Sequence, residues 1–489
     1  MKTAVIGSGI GGLLSALYAE MRGEDVTIFE KDDSLGGRLS FIEKDGFKID
    51  KGPTIVLLPN MIKSILADVG IGSDEYELIQ IDPLYKLSYP DGTTFTKWSD
   101  KQKQLEEINR MYPGEEEHFL RYLSDMERNF EEGKRAFLDV SFVQKRDFWT
   151  VTNVRTLWKL KAYQTVKQQA ESYFTNQKLQ EAFSFQTLYI GGAPFQSPAL
   201  YSLVPYSEHV HGIWYVKGGY ASLIDSVINK INEKNITVKR NHKVEKLVHE
   251  QDTCKGVIVN GKMEEFEQII VNGDFPLMEK VVGVKENQYV PSSGCLLVYL
   301  GLDKIYKEAN VHQFFMTEDL ERHMKDVFVT KQLPEDPSIY SFHPSIIDPS
   351  LAPNGKGVLY MLVPVPVNSE INWKKISSYV DKVIDEVENR GFPNLRKSIL
   401  WKEVRTPKDA ENEGLYMGGS FGIAPSLLQS GVFRPQLKPF KYDNVYAVGA
   451  STHPGGGVPI VMQGAKLLHQ FIEERVVQDE GSRTSVSAM

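Results

Sequence analysis

Two glycine-rich stretches near opposite ends of this 489-residue chain hold the residues whose types and spacing could do chemistry. In the first, Gly7, Gly9 and Gly12 make a Gly-x-Gly-x-x-Gly turn directly behind the apolar run Ala4-Val5-Ile6. The first glycine of such a turn permits the bend, the second lets backbone approach a pyrophosphate, and the third lets the following helix pack closely on the strand. Glu30 ends the next apolar run, Val26-Thr27-Ile28-Phe29, at the distance where a carboxylate accepts from the ribose hydroxyls of adenosine. Gly36-Gly37-Arg38 then brings more backbone and a fixed cation to the same pyrophosphate. The first turn suits NAD and FAD alike, and the second glycine pair with its arginine favours FAD.

In the second stretch, Val445-Tyr446-Ala447-Val448 runs into Gly449-Ala450-Ser451-Thr452-His453-Pro454, three glycines (455–457) and Val458-Pro459-Ile460, with a helix expected through Leu468. Strand, glycine turn and helix start again present amides to a cofactor, and a helix N-terminus stabilises an anionic reduced flavin. Gly449, Ala450, Gly457, Val458 and Pro459 are the expected contacts, and His453 is the candidate catalytic residue. Glu208, His209 and His211 are further polar candidates. Between the two stretches, Asp50-Lys51-Gly52-Pro53-Thr54 reads as a tight turn in which Gly52 and Pro53 could lie against a planar ring.

The elements that must position these residues follow from periodicity. Residues 1–30 read as strand, helix, strand. Pro90-Asp91-Gly92 marks a hairpin between Leu84–Leu87 and Thr94-Phe95, and residues 101–180 read as an inserted helical lobe. Within that lobe, 144–168 carries Lys145, Arg146, Arg155, Lys159, Lys161 and Lys167 against Asp147 alone, interleaved with Trp149 and Trp158. Such a segment suits an anionic membrane surface or a solvated helix packed by its aromatic face. Residues 183–220 are dense in aromatic and aliphatic side chains, as in elements buried on both sides or the walls of an apolar pocket. A helix is expected over 221–235, then a small meander from 236–246, 256–261 and 266–272. Strands are expected at 295–301, 338–342 and 358–365, with a helix near 374–389.

Composition limits the alternatives. A charge of −8 argues against a general nucleic-acid binder. Two cysteines, Cys254 and Cys295, offer no disulfide framework, so a reducing compartment is expected. The chain enters its first strand almost at once, so no signal peptide is expected, and no apolar run is long enough to span a bilayer. No metal site is expected either.

On the Gly7–Arg38 motifs the sequence resembles the two-dinucleotide-binding-motif flavoproteins. On Asp50-x-Gly52-Pro53-Thr54, the 183–220 block and Gly449-Ala450-x-x-His453-Pro454-Gly455-x-Gly457-Val458-Pro459, it resembles the bacterial carotenoid desaturases, closest to the diapophytoene desaturases, from Ala4 to about Glu474. The resemblance implies an α/β fold: a Rossmann-like FAD-binding domain in three parts (1–75, 217–289, 426–476), interleaved with an α+β substrate domain (76–216 and 290–425), before a disordered tail over 477–489. It also places Val244 at the adenine. The implied activity is FAD-dependent dehydrogenation of a C30 polyisoprenoid such as 4,4'-diapophytoene, taken peripherally from the inner face of the cell membrane by a cytoplasmic protein. With no second Gly-x-Gly-x-x-Gly for a nicotinamide, a quinone or dioxygen is the expected electron acceptor. The related terminal-methyl oxygenases share these motifs, and a lipid escort on the same architecture would not need them.

Overall fold

The computed structural model describes residues 1–487; the side chains of Lys145 and of 476–489 lie outside the described residues. The first structural unit is a parallel sheet of five strands: β1 (Lys2–Ile6), β2 (Asp25–Phe29), β3 (Thr237–Lys239), β4 (Gln268–Val271) and β5 (Val445–Ala447). Their order is β5-β4-β1-β2-β3, with Ala4 level with both Thr27 and Ile269. Strand order therefore reverses at β1, and the crevice at the carboxyl ends of β1, β2 and β4 is the place where such sheets bind nucleotides.

Alternate residues serve the two faces of this sheet. Val5, Ile28 and Ile270 pack against α1 (Ile10–Met21), the amphipathic helix Leu223–Glu233 and the C-terminal helix α2 (Val458–Ser487). Ala4, Ile6, Phe29 and Val271 pack against a three-stranded antiparallel sheet through Val244, Leu247 and Val257. That small sheet corrects the expected meander. It is built from Val244–Glu250, Thr253–Val259 and Lys262–Glu265, whereas the runs at 237–239 and 268–271 leave it and become β3 and β4. Burial explains the difference: Gln268–Val271 is buried at every residue, as a strand covered on both faces must be, while Lys262–Glu265 has no buried residue. The unstructured tail expected over 477–489 falls beyond the described side chains, and the trace of α2 runs to Ser487.

The second unit is a seven-stranded sheet in the order Ile399–Arg405, Gly294–Leu302, Gly357–Val365, Ile339–Phe342, His312–Phe315, Tyr85–Ser88, Thr94–Lys97. All its pairings are antiparallel except that of His312–Phe315 with Tyr85–Ser88. The hairpin turns at Gly92, whose φ of +81° needs glycine, and Tyr89 N donates to Thr93 O at 2.9 Å. One face of the sheet packs Leu296, Val298 and Leu359 on the helix Ser377–Arg390. The other carries Tyr299, Phe314, Tyr340 and Tyr360. Helices from Lys101–Met111 to Gln177–Ala182 form the expected lobe. Among the described residues, no helix is long and apolar enough to cross a membrane.

Candidate functional site: a glycine-lined cleft opening into an apolar cavity

A cavity of about 1330 Å³ begins at the carboxyl ends of β1, β2 and β4 and continues to the aromatic face of the seven-stranded sheet. Every expected cofactor contact lines it except Gly12. Gly12 instead packs the first turn of α1 on the strand: a Cβ there would stand 2.2 Å from Gly7 O. Gly7 has φ +97° and donates its N–H to Phe29 O at 2.8 Å, which makes the bend. Gly9 precedes α1, whose N-terminus no side chain caps, so its first amides are free for an anion.

The second glycine pair closes over the first. Gly36 N donates to Ser8 O at 2.9 Å, and a Cβ on Gly37 would touch Gly9 Cα at 3.4 Å. Gly52 sits so close beneath that its Cβ would be 2.4 Å from Arg38 O. Glu30 is held rigid. Its Oε2 accepts from Ser8 N at 2.9 Å and Ser8 Oγ at 2.6 Å, and its Oε1 accepts from Asp32 N at 3.0 Å. A carboxylate has about four lone-pair sites, so it keeps room for a ribose hydroxyl. Val244 lies alongside, two residues after His242, whose N–H donates to Glu30 O at 2.7 Å. Arg38 donates Nη1 to Ser420 O at 3.2 Å and enters no ion pair among the described residues. Burial lowers its pKa and nearby Asp274 opposes the shift, leaving a cation with spare donors on the cleft.

Three residues that sequence reading missed fix the C-terminal turn. Asn272 Nδ2 donates to Val448 O at 2.8 Å, and Asp274 accepts from Ser451 Oγ at 2.7 Å and Tyr416 N at 2.8 Å. Buried Arg434 donates to the carbonyls of Gln429 and Thr452, each at 3.2 Å, and to that of Ala450. The signal available for the first two was their place at the carboxyl end of the buried run 268–271; Arg434 stands in no motif.

His453 lines the cavity but is held away from general-base duty. Its Nε2 faces Val140 O at 2.8 Å, so that nitrogen carries the proton, and Nδ1 is buried without a partner. Burial brings its pKa down to about 4. The ring thereby ties the helical lobe to the turn. The other polar candidates stand behind the wall. His209 donates Nδ1–H to Trp98 O at 2.7 Å, and His211 Nδ1 pairs with Ser207 Oγ at 3.1 Å. Glu208 Oε2 accepts from Tyr85 OH at 2.8 Å and Gln186 Nε2 at 3.3 Å, beneath the cavity-lining Tyr189. Burial raises Glu208 to about 7 and lowers Lys97, its nearest cation, to about 7. On the wall itself, Tyr340 OH bonds Thr54 Oγ1 at 2.7 Å and His312 Nδ1 at 2.8 Å.

The residues present fit FAD: two glycine cradles that a Cβ would fill, an acid placed for ribose and a guanidinium with spare donors placed for pyrophosphate. Comparison with known proteins agrees. Residues 10–466 match the family of flavin containing amine oxidoreductases. The chain is 55% identical to the 4,4'-diapolycopen-4-al dehydrogenase of Metabacillus indicus over 96% of both chains. It is 31% identical to the 4,4'-diapophytoene desaturase (4,4'-diaponeurosporene-forming) of Staphylococcus haemolyticus over 97% of this chain and 99% of that one. An oxidoreductase from Methanosarcina mazei shares the fold, with a TM-score of 0.65 at 16% identity over 96% of this chain and 100% of that one. The chain thus belongs to the flavin-containing amine oxidoreductases and, within them, to the carotenoid desaturase family. It is an FAD-dependent oxidoreductase, which sets the escort reading aside.

Proposed function

We propose that this protein dehydrogenates a C30 polyisoprenoid. The observation that carries the reading is a single cavity whose one end is the FAD cradle and whose other end is walled by aromatic and aliphatic side chains. Such a wall holds a chain without polar handles by burial alone, at about 0.8 kcal/mol per methylene. When bound, FAD supplies the two-electron acceptor for hydride. Glu30, Arg38 and the two glycine turns would hold it, Arg434 and Asp274 fix the C-terminal glycine turn, and the wall excludes water. His453 stays neutral and braces the lobe.

The 55% relative favours a second reading, in which the same site oxidises a terminal aldehyde of the conjugated chain to an acid. The experiment that decides is expression in cells accumulating either colourless diapophytoene or a C30 polyene aldehyde, with mass spectrometry of the extracts. Loss of hydrogen pairs from the hydrocarbon supports the desaturase; gain of one oxygen by the aldehyde supports the second reading; no change in either overturns both.

The substrate must come from a membrane, and we propose that the lobe docks on the inner face of the cell membrane with a quinone or dioxygen accepting the electrons. Trp158, Val151 and Leu428 are 72%, 68% and 74% exposed, and Trp149 stacks edge-on to Phe433 at 6.3 Å, joining the lobe to the 427–433 loop. Ser430 and Gly431 of that loop line the cavity. This apolar patch at the cavity's edge supports the docking reading.

A further inference from the structure

The two faces of the seven-stranded sheet are made of different side chains. On the face turned from the cavity, the strands Gly294–Leu302 and Gly357–Val365 present Leu296, Val298, Leu300, Leu359, Met361 and Val363. On the cavity face the same sheet presents Leu297 and Leu362 together with a cluster of rings. Phe314 stands at their centre, with centroids 4.8 Å from Phe185, 4.9 Å from Tyr340 and 6.1 Å from Tyr189. All four rings line the cavity. Of the sheet's own side chains on the far face Phe315 alone is a ring, and the other buried rings there, Tyr306 and Phe392, come from outside the strands.

Their position is fixed relative to the cofactor cleft. Tyr340 OH is bonded to Thr54 Oγ1, and Thr54 follows directly on Gly52-Pro53. The carboxylates that line the cavity are Glu30, Asp32, Glu245 and Asp274 of the cofactor cleft and Glu413, which pairs with Lys51 and Arg405. A hydrocarbon that loses hydride carries positive charge until the neighbouring C–H bond breaks. That bond's electron pair becomes the new double bond, and hydride and proton together balance the two-electron reduction of FAD. The negative face of an aromatic ring is the one group on this wall that attracts such a charge without being itself desolvated at great cost.

We infer that Phe314, with Phe185, Tyr189 and Tyr340 around it, forms an aromatic cradle whose ring faces stabilise the cationic charge developing on the polyisoprenoid as hydride leaves. Tyr85 reinforces it from behind. Its ring meets Phe314 at 5.1 Å and 73°, and its hydroxyl donates to Glu208, which keeps electron density on the phenol. The inference rests on the dehydrogenation reading above and adds to it the group that lowers the barrier.

Ring fluorination tests this without changing shape, because each fluorine weakens the negative face while the ring stays in place. Phe314 is replaced in the full FAD-loaded chain by mono-, di- and trifluorophenylalanine. Flavin bleaching is then followed anaerobically after mixing with diapophytoene in detergent micelles. The logarithm of the bleaching rate is expected to fall in step with fluorine number, by roughly tenfold in all, with FAD content and half-saturating substrate unchanged. A trifluoro variant as fast as the parent overturns the cradle. A parent enzyme that diapophytoene does not bleach overturns hydrocarbon dehydrogenation itself and, with it, the charge the cradle serves.

Discussion

Glu208 shows how a single buried side chain can carry a measurable signature. Its carboxyl is fully buried, with Tyr85 and Gln186 donating to one oxygen and the other oxygen unpartnered. Burial raises it from 4.5 to about 7, so the folded state holds its proton more tightly than the unfolded chain does. The stability this contributes is complete below pH 4.5 and is lost as pH rises through 7. Glu208→Gln is isosteric and cannot ionise. It is expected to match the parent at pH 4 and to exceed its stability by about 3 kcal/mol at pH 9, where Lys97, also shifted to about 7, is neutral as well. Chemical denaturation at the two pH values checks this, and a difference that does not grow with pH sinks it.

Elements divide by how local their signals are. The terminal glycine turns were legible because Gly7, Gly36 and Gly457 have left-handed φ values of +97°, +103° and +101°, which only glycine adopts cheaply, and because their spacing is short. Strand β4 was misread because a neighbouring hairpin is the default partner for a strand, whereas Gln268–Val271 pairs with β1 across more than 260 residues. The pairing of His312–Phe315 with Tyr85–Ser88 spans more than 220 residues, so the place of Phe314 beside the pocket walls expected from 183–220 was not legible. The clamp from His453 to Val140 depends on a lobe more than 300 residues away in sequence, whereas Arg434 bonds carbonyls within twenty residues but stands in no motif. That clamp predicts a separation of effects. His453→Phe removes the donor to Val140 O and is expected to lower stability by about 1–2 kcal/mol while FAD stays bound. Its parent histidine, depressed from 6.5 to about 4, contributes stability above pH 6.5 that is lost as pH falls through 4. The variant's deficit should therefore shrink and then reverse in acid, as urea unfolding at pH 4 and pH 7.5 would show; an equal deficit at both would assign the loss to packing alone.

For the molecule as a whole, the docking on a bilayer proposed above can be driven by charge or by apolar surface. The basic segment is less cationic in the fold than in the sequence: Lys159 pairs with Glu132, Lys167 pairs with Glu321, and Arg146 lies 3.9 Å from Asp147. Arg155 and Lys161 enter no ion pair among the described residues. Two such cations near headgroups are worth about 1 kcal/mol each and are screened by salt. Burying Trp158 and Leu428 is worth about 1.5–3 kcal/mol for each side chain and is not screened. Binding to vesicles containing anionic lipid should accordingly survive high salt with only a severalfold loss. Trp158→Ala combined with Leu428→Ala should cost more than a hundredfold in partition at any salt, without altering flavin bleaching by substrate in micelles. Sedimentation with vesicles at two salt concentrations separates the cases. If high salt releases the parent and the double substitution does not, the docking force is charge and the 427–433 loop has no part in it.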